Sequence, residues 1–305
     1  MHRILSFVFL ALGGIGVSAC GGSTMSSSGS IETETTTIQS LVDTNEARFS
    51  NALSVLARDT STGMVMSSDR REVTVTPSKN AAGVVVYNVT AFGRTVTFEP
   101  SDLNSSGSSF SKTLPDGTKV FMWSFDGSWD KIQQGTSKFK YMVRFSTSDI
   151  ADGVNTRAYG VMGTPTSVAQ LPTNGSATYF AERGMRADAY LTTDPDQRVR
   201  LYGDVNLDVD FGKSQISGEF NNLTDQDGTG SDTVLKLKPA AVRNGSFATT
   251  LSIENGGDEE IMTASAVNGR FYGDEAQEVG GDLSFTTSNE GSQFVAAGAF
   301  GAKKQ

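Results

Sequence analysis

The chain has one histidine, His2, and one cysteine, Cys20, and both lie within its first twenty residues. A chain cut just ahead of Cys20 keeps no histidine, which excludes Ser-His-Asp and Cys-His nucleophile systems. The usual zinc and copper sites, which draw on His and Cys, are excluded with them. Haem would have to be held by Tyr, Met or a non-axial pocket, because the commonest proximal ligand is missing. A lone cysteine permits no disulfide within the chain, so the fold has to rest on its core. Basic residues are also scarce: 25 Lys and Arg stand against 34 Asp and Glu, for a net charge of −9. A nucleic-acid partner needs a basic footprint, so none is expected. What the chain has in quantity is glycine, 33 residues, and an apolar share of 37%, enough for one or two ordinary cores with many turns between short elements.

The first residues, MHRILSFVFLALGGIGVSAC, combine a cationic start at Arg3, an apolar run from Ile4 to Leu12 and small residues before Cys20. This pattern is an export signal, too short for a spanning helix. The end of the segment, VSAC followed by Gly21, resembles the bacterial lipobox. In proteins with that motif the cut falls before the cysteine, whose thiol receives a diacylglycerol and whose new amino group is acylated, palmitate being the expected chain. Cys20 is therefore the expected lipid-attachment residue, and Gly21 after it resembles the sorting pattern of outer-membrane lipoproteins. Residues 1–19 read as a lipoprotein signal peptide, and residues 20–39, small and polar, as a lipidated flexible tether.

Beyond the tether, Val42, Phe49, Leu53 and Leu56 recur at helical spacing and predict a short helix between Ser40 and Ala57. From residue 72 the period changes to two: REVTVTP, GVVVYNVTAF, RTVTFEP, KVFMWSF and KFKYMVRF read as strands. In the last, Phe139, Tyr141, Val143 and Phe145 alternate with Lys140, Met142 and Arg144, as in a strand with one buried face. Trp123 shares a face with Phe121 and Phe125, which points to core rather than to a binding anchor. Residues 40–157 thus form a smaller β-rich, handle-like domain with a short N-terminal helix. In residues 158–305 eight strands can be counted, at 177–182, 199–211, 214–221, 232–238, 245–253, 263–273, 280–287 and 293–301. The expected fold is all-β: an eight-stranded antiparallel up-and-down barrel preceded by the handle. Such a barrel is just wide enough for side chains to fill, though some hold one small ligand. Its polar outer face, with Asn206, Asp208 and Asp210 opposite Val205, Leu207 and Val209, argues against a lipid-spanning barrel.

The barrel half resembles a family. Leu171, Pro172, Thr173, Gly175, Ala177, Thr178 and Tyr179, then Phe271, Tyr272, Gly273, Ala276, Glu278, Gly280 and Gly281, are similar to the opening and closing patterns of the handle-and-barrel unit of transferrin-binding protein B. Asp274 departs from the pattern, which usually has proline there. The resemblance runs over residues 70–301 and is more specific in the barrel; there is room for one such unit, where the family has two lobes. It implies a surface lipoprotein of Gram-negative bacteria that captures a protein ligand in iron or haem acquisition, beside a TonB-dependent receptor. No ligand-contacting loop residue can be carried over.

Other clusters read blandly. Asp225, Asp227 and Asp232 surround two glycines in DQDGTGSD but lack the alternating ligands and distant glutamate of a calcium loop. ENGGDEE, 254–260, reads as a charged turn that guards a strand edge. In the 267–285 stretch VNGRFYGDEAQEVGGDLSF, no helix follows the glycine pair, so a phosphate loop is excluded, and Asp274, Glu275, Glu278 and Asp282 lack metal-loop spacing. Carboxylates, lysines and tyrosines are dispersed, and nothing groups them for catalysis. The expectation is therefore a non-catalytic, monomeric binding module, lipid-anchored to the outer membrane and displayed at the cell surface, without cofactor or resident metal. The alternatives are a carrier of haem or another apolar molecule, in the barrel or between handle and barrel, and a structural or antigenic surface lipoprotein.

Overall fold

Short β-branched and aromatic runs separated by Gly, Asn and Asp turns satisfy their backbone groups most readily as antiparallel hairpins. The computed structural model describes residues 53–59, 65–191, 198–255, 258–262, 264–289 and 292–305. The signal peptide, Cys20, the tether and residues 40–52 lie outside the described residues.

The first half contains β1 (Leu53–Asp59), β2 (Val65–Arg71), β3 (Thr74–Lys79), β4 (Val85–Ala91), β5 (Arg94–Phe98), β6 (Ser109–Thr113), β7 (Lys119–Ser124), β8 (Met142–Ala151) and β9 (Val154–Gly163), with one short helix, α1 (Trp129–Gln133). A six-stranded sheet has the order β2-β1-β9-β8-β7-β6, and β3-β4-β5 form a second sheet. Val75, Tyr87, Val89 and Phe98 of the small sheet pack with Val55, Phe110, Met122, Val143, Phe145 and Ala158 of the large one. Trp129 is fully buried among them, its ring 4.9 Å from that of Tyr87 and 5.4 Å from that of Phe110.

Three expectations change here. The helix between Ser40 and Ala57 is overturned where it is described: Leu53–Asp59 is strand β1, held between β2 and β9. The helical spacing of Leu53 and Leu56 was a coincidence of a strand with both faces covered, since Val55 and Leu56 are both buried. The KFKYMVRF segment is strand only from Met142, and Met142, Val143, Arg144 and Phe145 are all buried, so both of its faces are covered. On β7 the core-facing residues are Val120 and Met122; Phe121 and Trp123 lie on the opposite, half-buried face, stacked at 5.0 Å with 13° between their planes.

The second half contains β10 (Ser176–Leu191), β11 (Arg198–Asp210), β12 (Gln215–Thr224), β13 (Gly230–Ser231), β14 (Val234–Ala241), β15 (Ser246–Thr249), β16 (Leu251–Asn255), β17 (Asp258–Ile261), β18 (Ala264–Tyr272), β19 (Glu278–Asn289) and β20 (Ser292–Lys304). All pairings are antiparallel, in the order β15-β18-β19-β20-β10-β11-β12-β14-β16-β17. β15 and β16 are one chain segment bent at Thr250: β15 pairs with β18 while β16 pairs with β14. That bend joins the two ends of the sheet into a nearly closed barrel, and with β15–β16 and β17–β18 each counted as one staple of the ring, the eight expected strands are present. Inward side chains fill it: Tyr179, Met185, Val205, Leu207, Phe220, Phe271, Leu283 and Phe300 are all fully buried. Phe220 and Phe300 lie 5.4 Å apart, and Phe271 lies 5.6 Å from Tyr179 and 5.8 Å from Phe211. Aromatic payload of this kind dominates a core.

β10 is much longer than the 177–182 run. A bulge between Ala181 and Met185, with Arg183 at φ 48°, absorbs the charged Glu182-Arg183 pair and returns Met185, Ala187 and Ala189 to the inside. Arg186 and Asp188 therefore point outward.

Candidate functional site

The outer wall of β19, β20 and β10 lies against the six-stranded sheet, and there the closing motif acquires its role. Outward positions of β20 are small: Ala297 and Ala299 pack with Leu56, Tyr159 and Tyr190. A Cβ placed on Gly301 would lie 2.5 Å from Met142 Cε, and one on Gly280 would lie 2.6 Å from Met142 Sδ. Met142, fully buried, thus sits in a socket made by two missing side chains; burying such a side chain contributes about 1.5–3 kcal/mol. Gly273, at φ 77°, takes a conformation that glycine adopts without strain, and its Cα faces the Tyr141 ring. Phe271 points into the barrel, and Tyr179 Oη donates to the Ala276 carbonyl at 2.6 Å. The motif is a docking seam between sheet and barrel.

Carboxylates fasten that seam. Glu278, 3% exposed, accepts from the backbone N–H of Lys140 at 2.8 Å and of Tyr141 at 3.0 Å. Burial pushes its carboxyl up to about 7 against the opposing pull of those two N–H groups. Asp282 accepts from Ser54 Oγ at 2.7 Å and from Asn268 Nδ2 at 3.2 Å. Asp188, on the outward face of β10, accepts from Tyr159 Oη at 2.6 Å, Arg157 Nη1 at 2.8 Å and Arg198 Nη2 at 2.9 Å, with Arg200 Nε 3.7 Å away. Burial raises its carboxyl, but Arg198, Arg157 and the hydrogen bonds outweigh it and hold the group below the usual range.

At one end of the seam a cleft of about 190 Å³ is lined by Phe125, Asp126, Lys138, Arg144, Arg183, Arg186 and Tyr202. In a chain of net charge −9, four cations here face one carboxylate. Arg144 is fully used: its Nε lies 2.9 Å and its Nη2 2.7 Å from Asp126 Oδ1, and its Nη1 donates to the carbonyls of Arg183 and Gly184. Lys138 Nζ donates to the Glu182 carbonyl at 2.6 Å. Both handle cations therefore hold the β10 bulge. Burial, then the neighbouring Arg144, lowers the Lys138 ammonium below its ordinary range, and burial with Arg200 does the same to the Arg186 guanidinium. The Arg183 guanidinium carbon lies 4.1 Å from the Tyr202 ring centroid and that of Arg186 lies 4.2 Å from that of Phe125, so each cation sits over an aromatic ring.

None of these cleft residues stands out in the sequence, where they are spread over residues 125 to 202; the one hint is the charged ERGMR run interrupting an apolar strand. Among the residues read as bland, Asp225 Oδ1 accepts from the backbone N–H of Asp227 and of Thr229, each at 2.9 Å, and so shapes its own turn. No group of three or more His, Cys, Asp or Glu side chains that could hold a metal ion occurs among the described residues. Cys20, the expected lipid-attachment residue, lies outside them.

Comparison with known proteins bears on this arrangement. Residues 171–304 match the family described as the C-lobe and N-lobe beta barrels of Tf-binding protein B. Among solved structures, intact Ap-TbpB with its N and C lobes is 18% identical over 83% of this chain and 46% of that one, with a TM-score of 0.47. The isotype 1 transferrin binding protein B of serogroup B Neisseria meningitidis is 18% identical over 83% of this chain and 43% of that one, with a TM-score of 0.43. A surface lipoprotein is 14% identical over 83% of this chain and 99% of that one, with a TM-score of 0.36. This chain thus spans about half the length of the transferrin-binding protein B structures, with 46% and 43% covered. No curated protein sequence matches it. Residues 171–304 are thus similar to the beta barrels of Tf-binding protein B, and two β-sheets precede them.

Proposed function

We propose that this chain is a non-catalytic binding module anchored to the outer membrane through lipidated Cys20, facing the cell surface, which captures a protein ligand in iron or haem acquisition. The observation that carries the reading is the match of residues 171–304 to the transferrin-binding protein B barrels. The packing of the barrel favours a protein ligand over a molecule carried inside: Phe220, Phe271 and Phe300 fill the interior and leave loops and outer surface for recognition. Lipid at Cys20 holds the domain, residues 21–39 give reach, and loop residues supply affinity; a TonB-dependent receptor is the partner that would take the iron or haem onward. The signal peptide over residues 1–19 and the handle and barrel over 40–157 and 158–305 are part of the same proposal. Capture from serum on the immobilised domain tests it. A single iron- or haem-carrying protein retained at physiological salt is the expected result; repeated capture of nothing would sink the reading.

A further inference from the structure

The cleft at the end of the seam has chemistry that neither the fold nor a protein-capture role requires. Arg144 and Asp126 neutralise each other, and Lys138 keeps two ammonium hydrogens beyond the one given to the Glu182 carbonyl. The Arg183 and Arg186 guanidiniums lie over the Tyr202 and Phe125 rings, and no carboxylate hydrogen bond to either guanidinium occurs among the described residues. Two of the surrounding carboxylates, Asp204 and Asp188, are committed elsewhere. Asp204 accepts from the Arg183 backbone N–H at 2.7 Å and from Asn222 Nδ2 at 2.8 Å. Asp188, whose charge acts on Arg186, is engaged by Arg157, Arg198 and Tyr159. Glu182 is exposed; its carbonyl accepts from Lys138, and its carboxylate charge also favours the Lys138 ammonium.

An arginine stacked on a ring uses its π face and keeps its in-plane N–H edge free, the edge that grips a carboxylate or phosphate bidentately. Two such edges, fixed in orientation by Tyr202 and Phe125 and joined by the Lys138 ammonium, form a preorganised donor set around a half-enclosed space. The volume decides the size of guest: about 190 Å³ is below the 300–1,000 Å³ range of pockets for drug-sized molecules, and suits a small polyvalent anion. Asp126, Glu182 and Asp188 offset only part of the repulsion and desolvation felt by Lys138 and Arg186, and an anion placed among these cations would relieve the rest.

We propose that this cleft is a binding site for a small oxyanion, a phosphate or a carboxylate, gripped by Arg183 and Arg186 with Lys138 as third donor and with Arg144 positioning the β10 bulge that carries Arg183. The site is independent of protein capture, so either can fail without the other.

Calorimetric titration of the chain with inorganic phosphate and, separately, with citrate at low ionic strength tests this, the two arms distinguishing phosphate from carboxylate. Saturable binding of at least one anion is expected, weakened about tenfold or more in Arg183→Gln and in Arg186→Gln, since each removes a charge-assisted donor pair. Arg270→Gln, remote from the cleft, should bind as the parent does. Arg183 is exposed, so its variant keeps the test decisive if Arg186→Gln fails to fold. The proposal is overturned if neither anion binds saturably, if Arg183→Gln binds as the parent does, or if Arg270→Gln weakens binding equally.

Discussion

Glu278 on β19 and Tyr141 just ahead of β8 are 137 positions apart in sequence, yet the Glu278 carboxylate accepts the Tyr141 backbone N–H at 3.0 Å and that of Lys140 at 2.8 Å. One buried side chain of the barrel thereby closes two backbone groups of the handle, which would otherwise be costly to leave unpaired.

That carboxyl gives stability a pH dependence. Its folded value is about 7 and its ordinary one 4.5, so between these the folded chain holds more protons than the unfolded one. Stability should then fall as pH rises from 4.5 to 7, by up to about 3 kcal/mol. Asp188, depressed below 3.8, acts only at lower pH and in the opposite sense. Denaturant midpoints measured at steps across the window should decline with pH in the parent and lie flat in Glu278→Gln. An equally steep decline in that variant would contradict the assignment.

Asp188 collects three arginines and a tyrosine at the seam. Asp188→Asn leaves the mostly buried Arg157 and the partly exposed Arg198 without their counter-charge and should cost about 3–5 kcal/mol. Thermal unfolding checks it; a loss below about 1 kcal/mol would mean that the cluster is solvated like a surface pair.

Two glycines differ in what a side chain would meet. Gly93 (φ 80°) and Gly273 (φ 77°) both have a positive φ, but a Cβ on Gly93 meets nothing within 4 Å, whereas Gly273, with ψ 178°, lies in a region almost reserved for glycine and its Cβ would lie 2.5 Å from the Tyr141 ring. Gly93→Ala should cost about 1–2 kcal/mol and Gly273→Ala a further 1–3 kcal/mol. Equal losses in equilibrium unfolding would remove Tyr141 from the account of the motif.

Membrane attachment is tested at one residue. In Gram-negative cells, Cys20→Ser should move the chain from the outer-membrane fraction to the soluble or unprocessed pool, because the acyl chains, at about 0.8 kcal/mol for each buried CH₂, are its proposed hold on the bilayer. Unchanged fractionation of that variant would require another anchor.

Much of the barrel was legible in the sequence. Eight alternating runs between glycine-rich turns mapped onto the ring because alternation at period two reports a sheet with one wet and one dry face. The same logic failed in the handle for a physical reason. β1 and β8 are covered on both sides, so their buried residues run consecutively and imitate a helix or a one-sided strand. Trp123 was misread by face: Met122 and Val120 point into the core, and the Trp123 ring lies beneath Arg157, 4.9 Å from its guanidinium carbon.

By itself the sequence determined the class of structure and the chemistry it excludes: without histidine or a second cysteine beyond residue 20 there is no triad and no disulfide, and local alternation suffices to make hairpins. Only the tertiary structure decided what the closing motif is for and where the cations converge. Glu278 reaches Tyr141 across 137 positions and the cleft gathers residues spread from Phe125 to Tyr202, and local pattern carries no information about which outer wall of a barrel another sheet will cover.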